Sequence, residues 1–248
     1  MSETSGALQR PDGATLAWRR TSGAGSTVVW LGGFRSDMAG SKAQALADWA
    51  AAKGRDYLRF DYFGHGQSSG DFLEGSITRW RTDALAVIDD LTSGPLVLVG
   101  SSMGGWLALL AAAARPERIH ALVLIAPAAD FTETLMKPQF PPEALRALQR
   151  DGVWMEPSDY DPAGYPITRL LIEDGARWSV LPGPLGIAAP VRILQGMMDD
   201  SVPWTHAQEL VAAIQSPDVV FTLVKDGDHR LSRPQDLARL VAAVEEIG

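Results

Sequence analysis

Ser102 lies in Gly100-Ser101-Ser102-Met103-Gly104, a Gly-x-Ser-x-Gly pattern set between two contrasting runs. Before it stands Leu96-Val97-Leu98-Val99, apolar and too short for a helix; after it comes Trp106-Leu107-Ala108-Leu109-Leu110-Ala111, rich in helix formers. A buried strand that turns abruptly into a helix holds a serine on a strained turn, and the flanking glycines let neighbouring backbone crowd it. That arrangement suits nucleophilic attack on an acyl carbon. It also places the Met103 N–H at a helix N-terminus, where it can stabilise an oxyanion. The same pattern centred on Ser101 fails, because Val99 takes the place of the first glycine.

A serine hydroxyl needs a base, and the chain has four histidines, His65, His120, His206 and His229. His120 opens an expected strand, His206 falls inside an expected helix, and His65 sits in a turn whose spaced glycines account for it. His229, in Lys225-Asp226-Gly227-Asp228-His229-Arg230, follows the last expected strand in a polar turn on the edge where the serine emerges, and is the expected base. The orienting acid should lie between serine and histidine in the chain. Asp199, in Gln195-Gly196-Met197-Met198-Asp199-Asp200-Ser201-Val202-Pro203, is preferred, with Asp200 and Asp130 as alternatives; Asp228 is too close to His229 to reach its Nδ1. The second oxyanion donor is expected from Phe34 N–H, in the loop Gly32-Gly33-Phe34 after the first buried strand.

The elements that must position these groups alternate between strand-like and helix-like runs, the rhythm of a parallel sheet with crossover helices. Strands are expected at 15–20, 27–31, 57–60, 96–99, 121–125, 191–194 and 219–224, with 15–20 at the sheet edge. Helices are expected at about 41–53, 76–91, 203–214 and 234–246, besides the one after Ser102. Residues 131–185 break the rhythm. With short helical stretches near 142–150 and 165–177, they read as a lid inserted into a core of 1–130 and 186–248. Phe131, Phe140, Trp154, Tyr160, Tyr165 and Trp178 are its aromatics, and Trp154 and Tyr165 are expected to wall the substrate pocket.

The chain of 248 residues, 46% hydrophobic, can bury a full core. A net charge of −8 and no basic cluster longer than Arg19-Arg20 argue against a nucleic-acid partner. With no cysteine there is neither a disulfide nor a thiolate metal site. The polar first ten residues lack the apolar core of a signal peptide, and no run approaches a membrane span. A cytoplasmic protein without stable membrane association is the expectation.

These stretches resemble the α/β-hydrolase superfamily, over nearly the whole chain. Gly32-Gly33-Phe34 stands where many members carry His-Gly-x, Asp61–Ser69 resembles their D-x-x-G-x-G-x-S turn, and Gly196–Pro203 resembles their G-x-x-D-x-x-V-P acid loop. Gly32 in place of the histidine is the departure, and it bears on hydrogen bonding within the loop rather than on the backbone donor. More narrowly, Val99–Trp106, Ala114-Arg115-Pro116-Glu117, Asp151-Gly152-Val153-Trp154, Gly196–Trp204 and Asp228-His229-Arg230 are similar to the mitochondrial palmitoyl-protein thioesterases, also known for cleaving acyl glucuronides. With no targeting sequence in view, a bacterial-type relative is expected. The resemblance implies an α/β fold, mostly parallel and flanked by helices, with a small helical lid.

The expected activity is hydrolysis of carboxylic esters or thioesters through Ser102, His229 and Asp199, with no metal or organic cofactor. A small-molecule ester or thioester, or an acylated protein, is the expected substrate. The competing readings are a triad-bearing acyltransferase, perhydrolase or carbon–carbon hydrolase, and a ligand-binding member of the fold without turnover.

Overall fold

The structure is a computed structural model and describes residues 3–157 and 164–248; Tyr160 therefore lies outside the described residues. The chain opens with β1 (Glu3–Gln9), β2 (Thr15–Thr21) and β3 (Ala24–Leu31), then α1 (Ser41–Lys53), β4 (Arg55–Phe60) and α2 (Ile77–Leu91). Next come β5 (Leu96–Ser101), α3 (Met103–Ala114) and β6 (Ile119–Ile125). Between β6 and the next strand of the main sheet stand α4 (Pro142–Asp151), β7 (Val153–Glu156), β8 (Tyr165–Thr168) and α5 (Arg169–Gly175). The chain closes with β9 (Val191–Gly196), α6 (Trp204–Ala213), β10 (Val219–Val224) and α7 (Pro234–Ile247).

Among the described residues the main sheet has eight strands in the order β1-β2-β4-β3-β5-β6-β9-β10. Only the pairings of β2 with β1 and β4 are antiparallel. From β4 to β10 every pairing is parallel, so the carboxyl ends of β3, β5, β6, β9 and β10 lie along one edge. Loops that carry chemistry collect at that edge.

β5 shows why both faces of the sheet are covered. All six of its residues are buried, and because side chains alternate along a strand they feed two cores. Leu96 and Leu98 pack with Trp80 of α2, Trp106 of α3 and Leu210 of α6. Val97 and Val99 pack with Leu46 and Trp49 of α1 and Val244 of α7. Ser76 starts α2 where the sequence suggests, its hydroxyl accepting the Arg79 N–H at 3.2 Å.

Two expectations need correction. The sheet edge is β1 rather than β2: Thr4-Ser5-Gly6-Ala7 is small and exposed, without the apolar alternation that marks a strand. Gly6 belongs there because a Cβ would run into the Trp18 ring. The stretch between β6 and β9 is also less helical than expected. Residues 165–177 divide into β8, paired antiparallel with β7, and the short α5. Thr168 marks the division by accepting the Leu171 N–H at 3.0 Å as an N-cap.

Candidate active site

The turn between β5 and α3 holds Ser102 at φ 55° and ψ −121°, a conformation that costs a residue with a Cβ about 1–3 kcal/mol. Neighbouring backbone fixes it there. Ser102 N–H donates to Ile125 O at 2.9 Å, and its carbonyl accepts the N–H groups of Gly105 at 2.8 Å and Ala128 at 3.1 Å. The two pattern glycines are sites of close approach. A Cβ on Gly104 would overlap Leu31 O, and one on Gly100 would overlap Gly104 O. Strain at the serine and crowding at the glycines are one feature.

His229 follows β10 in a turn that Asp228 closes by accepting the Leu231 N–H at 2.9 Å. Its Nε2 lies 3.1 Å from Ser102 Oγ, and its Nδ1 lies 2.8 Å from Asp199 Oδ2. A carboxylate can only accept, so Nδ1 carries the proton, and Nε2 is left to accept from the serine hydroxyl. Asp199 is itself held. Its Oδ1 accepts the N–H groups of Ser201 and Val202, and its Oδ2 also accepts the Gln195 amide at 3.0 Å.

The alternatives to Asp199 sit elsewhere. Asp200 is exposed at the cavity rim. Asp130 is buried and takes the Ser179 hydroxyl and the Val180 and Leu181 N–H groups, which ties the segment before β9 to the end of β6. His206 is buried in the core, its Nε2 donating to Ala129 O at 2.8 Å. His120 is exposed on β6, away from the carboxyl end of the sheet.

Ser102 opens onto a cavity of about 720 Å³. Gly33, Phe34 and Met103 line it beside the serine, and a Cβ on Gly33 would lie 3.4 Å from Ser102 Cβ, so the loop after β3 passes directly over the nucleophile. The Phe34 ring is clasped by Phe72, Trp80 and Phe131 at centroid distances of 5.0, 5.9 and 5.9 Å. Phe131, Leu135, Met136 and Val202 give the cavity apolar lining, and Arg35, Lys42, Glu156, Tyr165 and Arg230 give it polar lining. Burial pushes the Lys42 ammonium down to about 8, and its Nζ donates to Arg230 O. Burial raises the Glu156 carboxyl.

Tyr165 lines the cavity, with the Arg35 guanidinium over its ring at 4.8 Å. Trp154 does not, contrary to expectation. Its half-buried ring packs edge-on against Phe140 at 5.6 Å. Leu135 and Met136, which take its place as wall, sit in a single turn of π-helix that a search for aromatics passes over. Among the described residues no three His, Asp or Glu side chains are grouped to hold a metal ion. No helix among them is long and apolar enough to cross a membrane.

The family model of the serine aminopeptidases S33, Hydrolase_4, matches residues 25–162. The chain belongs to the α/β-hydrolases. Within that family it is 38% identical to the mitochondrial palmitoyl-protein thioesterase ABHD10 of Rattus norvegicus, over 97% of this chain and 81% of the rat protein. Among solved α/β-hydrolases, that of mouse named alpha/beta hydrolase domain-containing protein 10 superposes with a TM-score of 0.90. It is 37% identical, with 98% of this chain and 97% of the mouse chain covered. A solved protein of Agrobacterium vitis S4 gives a TM-score of 0.96 at 42% identity, with 100% and 99% covered. The protein is a hydrolase of the serine class, with thioesterases among its relatives.

Proposed function

We propose that this α/β-hydrolase cleaves carboxylic esters or thioesters through an acyl-enzyme on Ser102. His229 Nε2 takes the serine proton as Oγ attacks the acyl carbon, and Asp199 holds the imidazole in the right tautomer and stabilises its cation. The N–H groups of Phe34 and Met103 receive the developing oxyanion. The His229 proton then passes to the leaving alcohol or thiol. Water activated by the same imidazole releases the acid and restores the serine. The single observation that carries the reading is the unbroken Asp199–His229–Ser102 relay, with contacts of 2.8 and 3.1 Å opening onto the cavity.

The insertion, residues 131–185 in this proposal, acts as a lid over the site. Its Phe131, Leu135 and Met136 supply the surface for an acyl or aryl group, and the polar lining groups receive the leaving group. The likeness to relatives named palmitoyl-protein thioesterase favours thioesters, including acylated proteins, among the substrates. Thiolates depart with less help than alkoxides, which suits a site of this kind. A panel of p-nitrophenyl esters and acyl thioesters of graded chain length, run beside triolein emulsions, tests the proposal. Soluble C4–C8 esters and thioesters should be cleaved faster than triolein. Faster cleavage of triolein, or no cleavage of any ester or thioester, would overturn it.

A further inference from the structure

The loop after β3 meets a second turn, Asp61–Ser69, to which the proposed chemistry gives no task. Two side chains of that turn grip the loop. Asp61 Oδ1 accepts the Met38 N–H at 2.7 Å, and its Oδ2 accepts the turn's own Gln67 N–H at 2.8 Å. His65 Nε2 lies 3.2 Å from Arg35 N, and its Nδ1 lies 3.1 Å from Phe63 O.

These partners settle the state of the imidazole. A carbonyl can only accept, so Nδ1 carries a proton; a backbone N–H can only donate, so Nε2 must offer its lone pair. His65 is therefore neutral. Its environment agrees: it is 4% exposed, and burial lowers the pKa of its ring. Tyr62, Phe72 and Trp80 pack edge-on around it at 5.7, 5.1 and 5.2 Å, and Phe72 and Trp80 also clasp the Phe34 ring.

The residue His65 holds is one that needs holding. Arg35 has φ 56°, in the left-handed region that a side-chain-bearing residue enters at a cost. Its N–H belongs to the Phe34–Arg35 peptide unit, so the bond to His65 fixes that unit, and through it bears on the adjoining Gly33–Phe34 unit that carries the Phe34 N–H. We propose that His65 is a positioning residue that sets the loop so that Phe34 N–H points at the reacting oxygen. The inference rests on the reading of Phe34 as an oxyanion donor. It also answers how the loop is secured with Gly32 where many members of the family carry histidine.

The test compares His65→Leu, which keeps bulk without an acceptor, with His65→Gln, whose amide oxygen can reach the place of Nε2. His65→Leu should lower kcat about 10- to 100-fold, less than the ~10²–10³ expected for loss of a whole donor, and leave KM within about threefold. His65→Gln should recover most of that kcat. Full kcat in His65→Leu, a change confined to KM, or no recovery in folded His65→Gln would overturn the proposal. Ser102→Ala, run alongside, separates the two claims: if it stays active, the reading of the site fails, and if it is dead while His65→Leu is unimpaired, only the role of His65 fails. Should the variants not fold, the ring nitrogens of His65 in the unaltered protein decide. A two-bond proton–nitrogen correlation spectrum should show Nδ1 protonated and Nε2 bare, and a protonated Nε2 would overturn the proposal.

Discussion

Asp199 and His229 meet through Oδ2 and Nδ1 at 2.8 Å, while the other oxygen of the same carboxylate is occupied by the N–H groups of Ser201 and Val202 just before α6. The acid is thus pinned from one side and presents one oxygen to the imidazole. Asp199→Asn should cost on the order of 10⁴-fold in kcat, because an amide no longer enforces the tautomer with Nε2 bare. Asp200→Asn and Asp130→Asn should retain activity to within about tenfold. Asp130→Asn should instead lower stability by about 1–3 kcal/mol, since it disturbs a buried carboxylate that receives the Ser179, Val180 and Leu181 donors. Steady-state kinetics and urea unfolding on all three separate these roles. A dead Asp200→Asn would place the acid one residue later.

Gly104→Ala should fail at the elbow. Its Cβ would overlap the Leu31 carbonyl, which is backbone of β3 and cannot swing aside. The expected outcome is a melting temperature lowered by several degrees or more, with activity falling by at least tenfold in whatever folds. Wild-type melting and turnover would show that the turn is not crowded as described.

Leu135→Trp and Trp154→Ala distinguish the cavity wall from the Trp154–Phe140 ring pair outside it. Filling the cavity at Leu135 should shift the acyl preference toward shorter chains, read as kcat/KM across p-nitrophenyl esters. Trp154→Ala should cost about 1–3 kcal/mol of stability through loss of its packing on Phe140, and leave the chain-length profile unchanged. A profile that moves with Trp154 rather than Leu135 would reverse the assignment.

Asp83 offers a test through pH. It is fully buried, its Oδ2 accepts the Phe63 N–H at 3.0 Å, and Arg79 and Arg10 stand 3.5 and 3.7 Å from Oδ1. Burial outweighs these favourable partners and pushes its carboxyl up to about 6. In the unfolded chain an aspartate releases its proton near ~3.9. Between those values the folded state holds a proton the unfolded state has lost, so this group's contribution to stability falls as pH rises from about 4 to 6. Relative to Asp83→Asn, wild type should lose on the order of 2 kcal/mol across that interval in urea unfolding. A difference that stays constant with pH would refute the assignment.

How much of this was legible in the sequence depended on how local the signal was. Ser102 could be read because glycine spacing, strand and helix all lie within a few residues of it. His229 and Asp199 could be read because each follows a clear strand on the same edge of a parallel sheet. Tyr165 was legible as a wall residue, but that Trp154 packs on Phe140 instead of joining it was not, since both are aromatics in one hairpin and only the fold decides which side reaches the cavity. β1 was hidden for another reason: its small exposed residues are held by pairing with β2, a tertiary contact without a pattern of its own. His65 was masked by its glycines, which explain a turn whether or not its imidazole holds Arg35.

The most direct test of the proposed mechanism is intact-protein and peptide mass spectrometry after treatment with a fluorophosphonate, which phosphonylates only an activated serine. The account predicts a single adduct, on Ser102, that forms in step with loss of ester hydrolysis and is absent from Ser102→Ala. An adduct that persists in Ser102→Ala, or full hydrolysis by a completely modified protein, would contradict it.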